Sequence, residues 1–385
     1  MLTGITLKDY TTFIKEKSFD FKATNYKILE DTNVGDNRVL KGALFMGENA
    51  SGKTQVLNSI TLLLNLLLSN AEQNFAIKKS LYTKGTKFSL AYTFDVKGVE
   101  IKYSVIFNGN TIWKEELYVD GQLKLDRLNT SGHTNFGNEK SVDEINPSLS
   151  LLKLEYYNTK FNNDPILNEW FDFLKNSLYI NCLKCFVQSF NPAEASKQLI
   201  KKYAEEKDAT NLNKLLAKLG YNSEIVFDKQ ASNKDKTMII SYEKNVINLK
   251  KKGTDAVIPI NFESAGNQAL VHIILPFEYA TKNNCMLIVD EFSSGLHNEL
   301  EETLIRYFFN NSKNSQIFFT SHSTNLLDTS ILRPDQIYSF RFDSKEGTII
   351  KRVSDENPRE SQNIEKMYLN GVFDGLPKYN KEIKN

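Results

Sequence analysis

The segment Gly47-Glu48-Asn49-Ala50-Ser51-Gly52-Lys53-Thr54 constrains this chain more than any other. It follows a short apolar run at 40–46 and opens a helical pattern that runs from Lys53 to Leu68. Strand, glycine-bearing loop and helix form the context in which G-x-x-x-x-G-K-[ST] folds backbone N–H groups around phosphates. Gly47 and Gly52 let the main chain turn tightly, and Asn49, Ala50 and Ser51 lie in the arc between them. Lys53 places a point charge on the β- and γ-phosphates, and the Thr54 hydroxyl is expected to ligate Mg²⁺. ATP and Mg²⁺ are the expected cofactors.

Four further segments bear on that expectation. The apolar strand Met286-Leu287-Ile288-Val289 ends in the acidic pair Asp290-Glu291. Asp290 is suited to hold the Mg²⁺ shell, and Glu291 to polarise an attacking water as general base. Glu263-Ser264-Ala265-Gly266-Asn267-Gln268 opens the helix ahead of that strand. A Ser-x-Gly turn at a helix N-terminus binds anions, although a plain helix cap has the same residues. The phosphate loop already takes the near side of a nucleotide. Ser264, Gly266 and Gln268 are therefore expected to meet the γ-phosphate held by a second copy. Thr320-Ser321-His322 ends the next strand, where His322 can donate a hydrogen bond to the same phosphate. Ser293-Ser294-Gly295-Leu296-His297 reads as a tight turn that could cross between copies.

Along the rest of the chain, alternation predicts a strand at 2–10 and a second within 18–30. Strands near 88–94, 99–107, 111–119 and 122–125, separated by Lys97-Gly98, Asn108-Gly109-Asn110 and Asp120-Gly121, predict an antiparallel meander. Residues 129–147, rich in Asn, Ser, Gly and Asp, read as a mobile loop. Amphipathic helices are expected at 166–181 and 193–219, strands within 223–262, and a polar hairpin near 250–253. Alternating helix and strand follow from Gln268, with a last strand pair near 336–342 and 348–352. No internal repeat and no sustained heptads occur.

A chain of 385 residues can bury a core without disulfide or metal staples. Three cysteines and the absence of an apolar targeting segment in MLTGITLKDY suggest a cytoplasmic protein. The longest apolar run, 60–68, is too short to span a bilayer. Net charge is +1, which gives no sign of DNA binding, though a neutral total can hide a local basic patch. Cys182-Leu183-Lys184-Cys185 has zinc-knuckle spacing, but no second pair follows, and the thiols read as core residues.

The order of the parts decides between families. Phosphate loop, large insertion, Ser-x-Gly turn, acidic strand end, crossing turn and His resemble the ABC/SMC group of ATPases. Leu7-Lys8-Asp9-Tyr10-Thr11-Thr12-Phe13 resembles the opening strand and turn of RecF, SMC and OLD-type ATPases. The stretches ESAGNQ, IVDEF with SGLH, FTSHSTNLLD, Arg333-Pro334-Asp335-Gln336-Ile337-Tyr338 and Tyr368-Leu369-Asn370-Gly371-Val372-Phe373 resemble AAA-family ATPases of bacterial abortive-infection and anti-phage modules, the RloA/AbiL type. The likeness covers both ends of the chain and is weak in the middle. It departs from the pattern at Ala50, Glu263 and Ala265, and Gln73 is the one candidate for a Mg²⁺-contacting glutamine after the first helix.

The resemblance implies an α/β fold: an ABC-ATPase-like (P-loop NTPase) head with a mixed sheet, formed by 1–75 and 255–385. A β-meander and helical lobe at 76–254 would be inserted, with no long coiled coil. It implies an ATPase that switches by pairing two ATP-loaded heads and controls a separately encoded effector, such as a Toprim- or HNH-type nuclease. A RecF/SMC-like DNA-repair ATPase and an ATP-latched scaffold with little turnover are the competing expectations.

Overall fold

The computed structural model describes residues 1–71, 73–191, 209–227, 247–294 and 296–376. Two large sheets enclose the helix Lys53–Leu68. The first has eight antiparallel strands in the order Lys17–Asp20, Leu2–Lys8, Lys87–Val96, Val99–Asn108, Thr111–Val119, Gln122–Leu128, Ser131–Asn135, Glu139–Val142. Its strands alternate as a half-buried sheet must: Phe88, Leu90, Tyr92 and Phe94 point inward while Lys87, Ser89, Ala91 and Thr93 do not.

The second sheet has seven strands in the order Phe186–Ser189, Leu178–Asn181, Met286–Asp290, Gln316–Thr320, Gly42–Gly47, Ile337–Asp343, Gly347–Arg352. The five inner strands run parallel and the two outer ones antiparallel. The three central strands are buried along their whole length, so they read as continuous apolar runs. Ala43, Phe45, Ile288 and Phe318 face the core shared with the first sheet and the helix Lys53–Leu68. Leu44, Met46, Leu287, Val289 and Phe319 face a second core under the helices Ala265–Lys282 and Asn298–Asn311. The two helix layers therefore lie on opposite faces of this sheet. The helix Lys53–Leu68 is held between two sheets, which explains why residues 60–68 are apolar almost all round.

A third sheet, Ser223–Phe227, Ile247–Lys251 and Val257–Pro259, leads into the helix Ala265–Lys282. That helix, at 18 residues, is the longest among the described residues, and no described helix is long and apolar enough to cross a membrane. The described chain is compact and shows no long coiled coil.

Several expectations need correction. The second strand covers only Lys17–Asp20, after which the chain enters turns and the short helix Glu30–Asn33. Residues 129–147 contain the strands Ser131–Asn135 and Glu139–Val142, because edge pairing outweighs their poor intrinsic strand propensity. The helix expected at 166–181 ends at Lys175, and Leu178–Asn181 is a strand beside Met286–Asp290. Of the helix expected at 193–219, residues 193–208 lie outside the described residues, and Thr210–Lys218 is helical.

Candidate functional site

Three parallel strands, Gly42–Gly47, Gln316–Thr320 and Met286–Asp290, end side by side. Their C-terminal ends bring the phosphate loop, Asp290-Glu291 and Thr320-Ser321-His322 to one edge of the sheet, where α/β folds bind ligands. Gly47 has φ +140, and a Cβ there would lie 2.1 Å from the Phe340 carbonyl oxygen. Ala50 has φ +61, and Gly52, which precedes the helix Lys53–Leu68, has φ +106. A Cβ on Gly52 would lie 2.5 Å from Thr348 Oγ1 and 2.8 Å from Thr12 Oγ1. The loop is braced from outside as well. Thr348 Oγ1 donates to the Ser51 carbonyl (2.9 Å) and pairs with the Thr12 hydroxyl (2.7 Å), and Glu48 Oε1 accepts from the Phe342 N–H (2.7 Å).

Lys53 Nζ donates to the carbonyls of Gly47 (2.9 Å) and Glu48 (2.7 Å), folding the ammonium over the loop. Burial lowers its pKa, opposed by the charges of Glu291, Asp290 and Glu48. Thr54 Oγ1 donates to Asp290 Oδ1 (3.0 Å), and Thr320 Oγ1 donates to the same oxygen (2.8 Å). Asn181 Nδ2 donates to Asp290 Oδ2 (3.3 Å). Asp290 is thus oriented by three side chains from three separate elements.

Glu291 turns sharply out of the strand with φ +56, its N–H donating to Thr320 Oγ1 (2.8 Å). Its carboxylate stands 3.9 Å from His322 Nε2. Burial and the Lys53 charge hold the His322 pKa below the usual histidine value, with Glu291 pulling the other way. The His322 N–H donates to Ser293 Oγ (3.3 Å), which ties the His loop to the turn after Glu291. Gly295 lies outside the described residues, and His297 precedes the helix Asn298–Asn311 as its cap residue.

Ser264 caps the helix Ala265–Lys282, its hydroxyl accepting from the Asn267 N–H (3.3 Å). Gln268 Nε2 folds back onto the carbonyls of Glu263 (2.8 Å) and Asn261 (3.3 Å). Gly266 is exposed, and a Cβ there would meet nothing within 4 Å. This turn belongs to the helix layer on the far face of the sheet from Lys53–Leu68.

The residues present fit a magnesium–nucleotide complex. Cβ atoms at 47 or 52 would strike Phe340 and the two threonines that brace the loop from outside, so the loop keeps its tight shape only with glycine at both positions. The Ser51 hydroxyl is buried and has no hydrogen-bond partner among the described residues. Thr54 and Asp290 offer one hydroxyl and one carboxylate, the sparse oxygen set Mg²⁺ takes when phosphates and water supply the rest. Gln73 is not part of this cluster. It follows the 16-residue helix Lys53–Leu68, itself about 24 Å long, and shares a cleft with Ser69 and Asn70 at the helix end remote from the loop, where its amide donates to the Ala71 carbonyl.

Sequence reasoning missed Asn181, Thr12 and Thr348. Asn181 was hidden inside an expected helix, Thr12 lay in a stretch singled out only for its resemblance, and Thr348 opened an expected strand without a motif of its own. Cys182 is buried as expected, but Cys185 is exposed.

None of the curated proteins matches this chain. Among solved structures it is similar to an SMC head bound to the C-winged helix domain of ScpA, with TM-score 0.54 at 13% identity over 92% of this chain and 99% of that one. It is also similar to the SMC head domain from Thermotoga maritima, with TM-score 0.49 at 14% identity over 91% of this chain and 98% of that one. The Smc head with an extended coiled coil bound to the C-terminal domain of ScpA, from Pyrococcus furiosus, gives TM-score 0.47 at 12% identity over 92% and 97%. The first of these establishes the fold as that of an SMC-head ABC-type ATPase. A family model matches residues 43–328, well over half of the chain and the stretch from the phosphate-loop strand past His322, and the chain therefore belongs to the family described as "AAA domain, putative AbiEii toxin, Type IV TA system".

Proposed function

We propose that this protein binds and slowly hydrolyses Mg-ATP, and that the cycle pairs and releases two copies of the chain. The observation that carries the reading is the split across the seven-stranded sheet. The phosphate loop leads into a helix on one face, while the serine turn caps a helix on the other and is open to the outside. Glycine inside a helix costs about 1 kcal/mol relative to alanine. At Gly266 no contact among the described residues requires its small size. Close approach by a second molecule supplies the reason.

In this reading Lys53, Thr54 and Asp290 hold the nucleotide and its metal. The bound Mg²⁺ would neutralise charge on the β- and γ-phosphate oxygens. Thr320 and Asn181 keep the Asp290 carboxylate aimed. Glu291 accepts a proton from water as the water oxygen attacks the γ-phosphorus, and the bond to the ADP oxygen breaks. His322 donates a hydrogen bond to the phosphate, and Ser264 with Gly266 of the second copy completes the enclosure. Loss of the γ-phosphate removes what joins the copies, so pairing follows nucleotide state through differential binding.

The switch serves, on this proposal, as the regulatory subunit of a bacterial abortive-infection module that holds or releases an effector, with a Toprim- or HNH-type nuclease the expected kind. The family description, which names an Abi toxin, supports that setting. The test compares wild type with Glu291→Gln. Wild type should turn ATP over, and the variant should bind ATP, lose at least about a hundredfold in rate and sediment at twice the mass with Mg-ATP. A wild type as inert as the variant, or no ATP-dependent change in size, would overturn the proposal.

A further inference from the structure

The strands Leu178–Asn181 and Phe186–Ser189 form an antiparallel hairpin at the edge of the seven-stranded sheet, with Asn181 paired to Phe186. Continuing that register by one step sets Cys182 opposite Cys185, the first and last residues of the connecting turn. Residues directly opposite in an antiparallel pair have Cα atoms about 4.5–5.5 Å apart, within the range a disulfide spans. The turn is already closed on itself. The Cys185 N–H donates to the Cys182 carbonyl at 3.3 Å, and Cys185 Sγ lies 3.7 Å from the same oxygen. Cys185 is exposed and Cys182 is buried.

This dithiol turn is wired to the metal-site carboxylate. Asn181 Oδ1 accepts from the Lys184 N–H inside the turn (2.9 Å), and Asn181 Nδ2 donates to Asp290 Oδ2 (3.3 Å). The Cys182 N–H donates to the Asp290 main-chain carbonyl (3.0 Å). Any change in the shape of residues 182–185 therefore reaches Asp290 through one amide side chain and one main-chain hydrogen bond.

We propose that Cys182 and Cys185 form a reversible disulfide that lowers the affinity of the site for Mg-ATP. The reactant is a small-molecule disulfide such as oxidised glutathione. The Cys185 sulfur attacks one sulfur of that disulfide, its proton leaving with the displaced glutathione as a thiol. The Cys182 sulfur then attacks Cys185 Sγ, releasing the second glutathione, which carries away the Cys182 proton. Two protein thiols are oxidised and one glutathione disulfide is reduced to two thiols. To reach Cys185, Cys182 Sγ must rotate out of the core. That pulls on the turn and weakens the Lys184–Asn181–Asp290 chain of hydrogen bonds.

The inference rests on the nucleotide reading, and the experiment separates the two. The full chain, wild type and Cys185→Ser, is reduced, then incubated with glutathione disulfide or left reduced. Thiols are alkylated, masses and peptides are read, and affinity for a fluorescent ATP analogue with Mg²⁺ is measured. Wild type should lose two hydrogens through a Cys182–Cys185 link and lose about tenfold in affinity, a usual size for coupled sites. Dithiothreitol should restore it, and Cys185→Ser should bind equally under both conditions. A stable glutathione adduct, no reaction, zinc held by the two thiols, or a disulfide that leaves affinity unchanged would each overturn the inference alone. Reduced wild type without ATP affinity would overturn the nucleotide reading and the switch with it, whatever the masses show.

Discussion

Gly52 is required twice over, once by its backbone angle and once by its neighbours. Its φ of +106 is a region that side chains avoid, and the two hydroxyls that would meet a Cβ, on Thr348 and Thr12, are engaged with each other and with the loop. Gly52→Ala should destabilise the protein by about 1–3 kcal/mol and weaken Mg-ATP binding as well. Urea denaturation and nucleotide titration check this, and an unchanged midpoint would refute the clash. The motif foretold a glycine here for the sake of phosphates. It gave no hint of the threonines, because their contact is made by elements more than 290 residues apart in sequence, Ser51 with Thr348. The same holds around Asp290. Thr54 and Thr320 lie in stretches that sequence singled out, whereas Asn181 ends a four-residue strand with no room to display alternation.

At the scale of elements, long segments with strong periodicity were legible and short edge strands were not. The helix Lys53–Leu68 and the strand Thr111–Val119 match their expected bounds. Residues 131–142 became strands only because the strand Gln122–Leu128 offered an open edge. The turn Pro334–Gln336 shows a different kind of determinant, a buried charge pair. Arg333 and Asp335 have fully buried side chains joined by two hydrogen bonds of 2.9 and 2.8 Å. Asp335 also accepts from the N–H and hydroxyl of Thr24 (2.8 Å each), and Arg333 Nη1 donates to the Ile28 carbonyl (2.8 Å). The pair pins the start of the strand Ile337–Asp343 to the segment after Lys17–Asp20. Burial pushes the Asp335 carboxyl up, but Arg333 and the Thr24 donors outweigh it and hold it below the usual range. Asp335→Ala would strand a buried guanidinium and should cost about 3–5 kcal/mol. A depressed native pKa stabilises fully above the ordinary carboxylate range and fades as pH falls through the native value. The gap between wild type and variant in urea melts should therefore be widest near pH 7 and narrow on acidification. A gap independent of pH would show that the loss is one of packing alone.

For the whole molecule the decisive issue is how the serine turn and the phosphate loop, on opposite faces of one sheet, can serve one nucleotide. Within one chain the sheet stands between their helices. Between two chains related by a twofold axis, each serine turn can face the other's phosphate loop, and the contact closes on itself. Ser264→Arg separates these possibilities. The residue is exposed, and among the described residues its hydroxyl serves the cap of its own helix. Losing that cap costs about 1 kcal/mol, too little to unfold a chain with two large cores. The phosphate loop of the same chain is untouched, so Mg-ATP affinity should stay within about twofold of wild type. A guanidinium on a long stem at the seam should keep the copies apart. The ATP-dependent doubling of mass and the turnover should then vanish together. Turnover kept at the wild-type rate would mean that each copy hydrolyses ATP alone and that the serine turn is only a helix cap. Affinity lost along with turnover would place Ser264 on its own chain's nucleotide. A mixture with Glu291→Gln gives the last check. If each site needs the serine of one copy and the glutamate of the other, a mixed pair has one site carrying both lesions and one carrying neither. Mixing two inactive proteins should then restore part of the turnover.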